Sequence, residues 1–156
     1  AVEGPCAMGE DDRDEAACAT DGFVRNDADK AKGSRARFPL SCAFKCAWDG
    51  VAYAVRSQRN MRIHLAVAAV AAALGFALRI DGPSWAAVLV CTGSVIAAEL
   101  VNTAVESVVD LVSPEYHELA RRAKDCAAGA VLVLSLAAVA VALVVYLPPA
   151  WALLTS

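Results

Sequence analysis

Glu99, Asn102, Glu106 and Asp110 are spaced three or four residues apart in an otherwise apolar run. At about 100° per residue, the last three lie within about 60° of Glu99 around a helix axis. One narrow stripe thus carries three acids and an amide, while Leu100, Val101, Val105, Val108 and Val109 cover the other faces. Carboxylates in such a setting call for a cation, a proton or a partner, so the stripe is a candidate functional site. Glu99 and Glu106 are about 10 Å apart along the axis, too far to share one ion, which implies two roles.

The helix carrying the stripe is expected over residues 85–112. At about 42 Å it exceeds a hydrocarbon core of about 30 Å, so it must project from a membrane. Counted from Trp85, Glu99 is the deeper acid and Glu106 is near the interface. A desolvated Glu99 has a raised proton affinity and suits a general base. Glu106 can reach Mg²⁺ brought in with a nucleotide, because Mg²⁺ takes one or two carboxylates with phosphate oxygens and water. Asn102 can orient either group, and Asp110 can hold the helix end through Arg or Lys. Lys124 and Asp125, before the next apolar run, offer a phosphate contact and a hydrogen-bond acceptor.

The rest of the chain supplies the setting. Its 156 residues are 58% hydrophobic, too apolar for an ordinary soluble domain of this size. Residues 1–38 hold nine of the seventeen acids and six of the fourteen Lys/Arg, so the net charge of −3 comes entirely from this segment. It lacks apolar periodicity and reads as a disordered acidic cytoplasmic tail, with no basic and apolar leader pattern. Residues 39–156 form the expected membrane domain. Leu40, Phe44, Trp48, Val51 and Val55 recur at helical spacing, predicting an amphipathic surface helix over 40–57. Membrane spans are expected over 62–80, 85–112 and 126–147. Asp81-Gly82-Pro83-Ser84 makes the first turn, Ser113-Pro114 ends the second span, and Pro148-Pro149 stops the third.

Seven of the eight Lys/Arg after residue 38 precede the first span or lie between the second and third. The positive-inside rule places these parts and the N-terminus in the cytoplasm, with Trp85, Tyr146 and Trp151 in the outer aromatic belt. His64 is expected at the interface, and His117 alone would be a surface residue. None of the six cysteines forms a CxxC pair; Cys42 and Cys46, one turn apart, lack the partners of a metal site. Ala127, Ala128, Gly129 and Ser135 permit close helix packing, pointing to a homo-oligomer. No P-loop or protein-kinase signature is present. From the residues alone three readings stay open: a phosphoryl-transfer enzyme, a proton or cation pathway, and polar glue between subunits.

The stretch Glu99-Leu-Val-Asn-Thr-Ala-Val-Glu-Ser-Val-Val-Asp110, followed by Ser113-Pro-Glu-Tyr-His-Glu-Leu-Ala-Arg-Arg-Ala-Lys-Asp125, closely resembles the signature of the bacterial diacylglycerol kinase/undecaprenol kinase family. The resemblance runs from about Phe44 to Tyr146. Arg59-Asn-Met-Arg-Ile-His64 and Ala127-Ala-Gly-Ala-Val-Leu132 look more like the undecaprenol kinase branch. It implies an all-α integral membrane homotrimer in the bacterial cytoplasmic membrane. Such an enzyme transfers the γ-phosphoryl of MgATP to undecaprenol or diacylglycerol, and no nucleic-acid partner is expected. By the same analogy Glu99 is the catalytic base, Asn102 supports it and Glu106 binds Mg²⁺. Glu115, Tyr116, His117, Lys124 and Asp125 contact the nucleotide. Gln58 stands where the family usually has a second metal-binding Glu, and Cys46 replaces a Tyr. A Gln can offer Mg²⁺ a carbonyl oxygen but no charge, so weaker metal binding is expected.

Overall fold

The computed structural model describes residues 40–155, which form four helices: α1 (Leu40–Ser57), α2 (Arg59–Ala77), α3 (Gly82–Val112) and α4 (Glu118–Leu154). The acidic segment 1–38 lies outside the described residues. Contacts group residues 51–156 as one unit, and the first part of α1 belongs to the preceding one. Helices α2, α3 and α4 are each long and apolar enough to cross a membrane. These three helices overlap the ranges expected for the spans, and α1 is helical over residues 40–57.

Within the unit from Val51 onward, α3 is the central element and packs against both α2 and α4, which meet each other only sparsely. The fully enclosed apolar side chains are few: Ala54, Met61, Val88, Val95 and Val131. Most large apolar residues, such as Val70, Leu89, Val101, Leu136 and Val144, face outward. A water-soluble fold could not leave so much apolar surface uncovered, whereas lipid tails solvate it. In α1, Phe44 and Trp48 are likewise exposed.

The turn between α2 and α3 follows directly from its residues. At the end of α2, the Ile80 amide donates to the Gly75 carbonyl and the Arg79 amide donates to that of Phe76, the paired bonds of a Schellman motif. Arg79 sits at the left-handed position with φ 51°, where glycine is usual. Asp81 then caps α3 by accepting from the Ser84 amide at 3.3 Å, with Pro83 in the first turn. Gly75 lets Trp85 lie against α2; a Cβ there would come within 2.9 Å of the indole. Phe76 completes the contact, its ring 4.7 Å from that of Trp85.

The third span departs from expectation at both ends. The polar connection is shorter than predicted, because residues 118–124 are already helical in α4. At the other end, Pro148 and Pro149 lie inside the helix instead of stopping it. Each ring removes one ladder hydrogen bond, but proline's fixed φ is itself helical. In lipid a broken helix would leave further backbone groups unpaired, so continuing to Leu154 is the better-satisfied arrangement. Tyr146 also differs from a simple belt residue, since its hydroxyl donates to the Ala71 carbonyl of α2 at 2.8 Å.

Candidate functional site

The stripe is real, and it turns inward. Along α3, Glu99 is 1% exposed, Asn102 5% and Thr103 4%, while Glu106 is half-buried and Asp110 exposed. This gradient matches the expected progression from a buried acid to an interfacial one. Thr103 donates its hydroxyl to the Glu99 carbonyl at 2.8 Å, and Ser107 does the same to Thr103 at 2.9 Å. Polar side chains on α3 that lack a partner across the bundle thus satisfy themselves on its own backbone.

Glu106 is the centre of a small network. Asn102 donates its amide to one carboxylate oxygen at 3.0 Å, and Gln58 donates its amide to the other at 3.2 Å. Gln58 is the residue just before α2, in extended conformation, so the break between α1 and α2 delivers its side chain to α3. Gln58 turns its nitrogen, not its carbonyl, toward the acid because a carboxylate only accepts. The Asn102 carbonyl oxygen is left enclosed without a partner, an acceptor in a place where polar groups are normally paired.

The remaining predicted residues lie around the α3–α4 connection. Lys124 bonds Asp110 at 2.5 Å, tying the start of α4 to the end of α3. Asp125 pairs with Arg121 at 3.3 Å, and Glu118 with both Arg121 and Arg122 at 3.1 Å. Tyr116 donates to Glu118 at 2.9 Å. His117 caps α4, its Nδ1 accepting from the Leu119 amide at 3.2 Å. Glu115 offers its backbone carbonyl to the Ser113 hydroxyl at 3.1 Å. Glu115, Tyr116 and His117 are exposed. The structure therefore joins Gln58, Asn102 and Glu106 directly and fixes Lys124 one turn further along the same face through Asp110. Among the described residues, the side-chain hydrogen bonds involving Glu115, Tyr116 and His117 are local.

His64, expected at the interface, is half-buried on α2.

Among the described residues no three His, Cys, Asp or Glu side chains gather as a metal cage. The donor set suits a different kind of ion. Both Glu106 oxygens accept an amide yet keep lone pairs free, and one carboxylate is what Mg²⁺ needs when it arrives on phosphate oxygens.

With this geometry in view, the relatives are informative. The model of the family described as prokaryotic diacylglycerol kinase matches residues 45–146. The chain belongs to that family. It is 46% identical over 111 residues to a diacylglycerol kinase of Synechocystis sp., covering 70% of this chain and 63% of that one. It is 35% identical over 106 residues to the undecaprenol kinase of Bacillus subtilis, covering 68% and 86% respectively. A diacylglycerol kinase of Escherichia coli is 49% identical over 45 residues, 29% of this chain and 37% of that one. The chain thus spans less than two thirds of the Synechocystis relative. Family and helices together make this a multi-pass membrane protein.

Proposed function

We propose that this protein is a lipid kinase, transferring the γ-phosphoryl group of MgATP to the hydroxyl of a membrane lipid, with undecaprenol as the preferred acceptor and diacylglycerol as the alternative. The observation that carries this reading is the pairing of an enclosed Glu99 with a half-buried Glu106 on one face of α3, in a chain whose relatives are named as lipid kinases.

Glu99 takes the proton of the lipid hydroxyl as that oxygen attacks phosphorus. Its enclosure keeps water from competing as acceptor. Asn102, one turn on, orients the neighbouring Glu106. Glu106 would hold the Mg²⁺ that accompanies the nucleotide, with Gln58 steadying the carboxylate, and the ion would neutralise charge on the phosphates. Lys124 and Asp125, with Glu115, Tyr116 and His117, form the nucleotide-facing end. The exposure of the connection supports that assignment, since a nucleotide must reach it from water.

The same reading places the protein in the bacterial cytoplasmic membrane as a homotrimer. The N-terminus and the α3–α4 connection face the cytoplasm, and α1 lies on the membrane surface with Phe44 and Trp48 in the lipid. The Lys/Arg distribution supports the orientation.

Purified protein in detergent, given MgATP and either undecaprenol or diacylglycerol, is expected to yield phosphorylated lipid, faster with undecaprenol. No turnover with either lipid would overturn the proposal. Glu99→Gln should lower kcat about 10²- to 10⁴-fold, the usual worth of a general base, with nucleotide binding kept. A fully active Glu99→Gln enzyme would remove Glu99 from that role.

A further inference from the structure

The last turn of α3 carries an acid that local physics disfavours. Asp110 sits in a turn that holds no basic residue, although the carbonyl end of a helix favours cations. It also follows Glu106 by four residues, a like-charge spacing that weakens a helix. What Asp110 meets lies across the connection, where its Oδ1 accepts from the Lys124 ammonium of α4. The Asp110 side chain is 67% exposed and that of Lys124 36%, and a pair so open to water adds little stability. The pair is therefore a poor offset to the two local penalties, and its consequence is where it puts the lysine.

Three cations stand in the first two turns of α4. Arg121 bonds Glu118 and Asp125, and Arg122 bonds Glu118, all on α4 itself. Among the described residues, Lys124 is the one of the three whose ion pair reaches another helix. Its flexible four-carbon stem would otherwise sample many rotamers. Tied to Asp110, the ammonium is held one turn, about 6 Å along the α3 axis, from Glu106. Asp110 engages one of its three donors, which leaves two for phosphate oxygens. A nucleotide then meets a positive charge already in place, and binding is spared the ordering of that side chain.

We propose that Asp110 is a positioning residue: it acts on the nucleotide phosphates through Lys124, fixing the ammonium near Glu106 before the nucleotide arrives. This role rests on the lipid-kinase reading, in which Lys124 faces the nucleotide, and adds to it a residue that does not itself touch the substrate.

The test is a double-mutant cycle on MgATP binding by the whole chain in detergent, without lipid, with the thermal midpoint of each variant measured alongside. Asp110→Ala should weaken MgATP binding about three- to tenfold, the effect of ordering one rotamer-rich side chain on binding, with the midpoint unchanged. Asp110→Glu, which keeps the charge, should bind as wild type does, and Asp110→Asn should resemble Asp110→Ala. In a Lys124→Ala background, Asp110→Ala should weaken binding no further, because the residue through which it acts is gone. In turnover the loss should appear in KM for MgATP with kcat little altered. Unchanged or tighter binding by Asp110→Ala, or an equal loss with and without Lys124, would overturn the role. An equal loss with a lowered midpoint would make Asp110 a brace between helix ends and nothing more. Wild-type protein that binds no MgATP would sink the kinase reading and this role with it, whereas MgATP binding without coupling between Asp110 and Lys124 would sink this role alone.

Discussion

The acids of α3 act through their different surroundings rather than their shared chemistry. Glu99 is enclosed and makes no side-chain ion pair, whereas Glu106 is half-buried and receives two amide bonds. A group meant to take a proton benefits from the first setting, and one meant to hold a cation from the second. At Gln58, one of the two positions where the resemblance leads one to expect another residue, the amide donates to Glu106 where a carboxylate would repel it. Gln58→Glu should therefore place two acids face to face and make the site dependent on the cation. The Mg²⁺ concentration for half-maximal activity is expected to fall about tenfold, or about 1.4 kcal/mol, and a Mg²⁺ titration of activity measures it. The stripe was legible in the sequence because helical periodicity alone aligns Glu99, Asn102, Glu106 and Asp110. The Gln58–Glu106 bond joins residues 48 apart, and only tertiary packing, or family likeness, could have brought them together.

At the scale of elements, hydrophobic runs and turn residues fixed where helices exist, and local backbone chemistry fixed where they end. Asp81 and Pro83 announced the start of α3, and Ser113-Pro114 its end. Pro148-Pro149 misled, because the rule that proline ends a helix is drawn from chains whose broken backbone water can satisfy. Arg79 is distinguished by its backbone: a φ of 51° in the Schellman position. Arg79→Gly should relieve that conformation and stabilise the protein by about 1 kcal/mol, seen as a higher thermal midpoint in detergent. The Asp81 cap gives a pH signature. The Ser84 hydrogen bonds hold its carboxyl below the ordinary aspartate range, so its contribution is fully present above the unfolded value near 3.9 and is lost as pH falls through the lower folded value. Comparing wild type with Asp81→Asn in a thermal-unfolding series should show a difference that is flat from pH 5 to 8 and shrinks only in stronger acid.

For the whole molecule, three spans of unequal length place the two ends of α3 on opposite sides of a membrane. The proposed direction rests on the charge bias. In a variant whose six native cysteines are replaced by serine or alanine, a cysteine introduced at Ser84 should be modified by an impermeant reagent added outside, and one at Ser113 only after permeabilisation. The reverse pattern would invert the proposed topology. Many of the apolar side chains face outward, so stability in this fold comes from its lipid surroundings as much as from its own sparse core. A single sequence records that as a surplus of apolar residues without naming what they touch.

The network at Glu106 has one more consequence. An acid flanked by two amides carries a single negative charge, and its neighbours cannot change their charge with pH or gain it from solution. A site built from paired carboxylates must recruit a counter-ion merely to stay together between catalytic cycles. Here the resting arrangement is already held by neutral donors. If the site turns over as proposed, nucleotide and metal leave together without the vacated site pushing its own walls apart, and the bundle around Glu99 stays assembled for the next lipid.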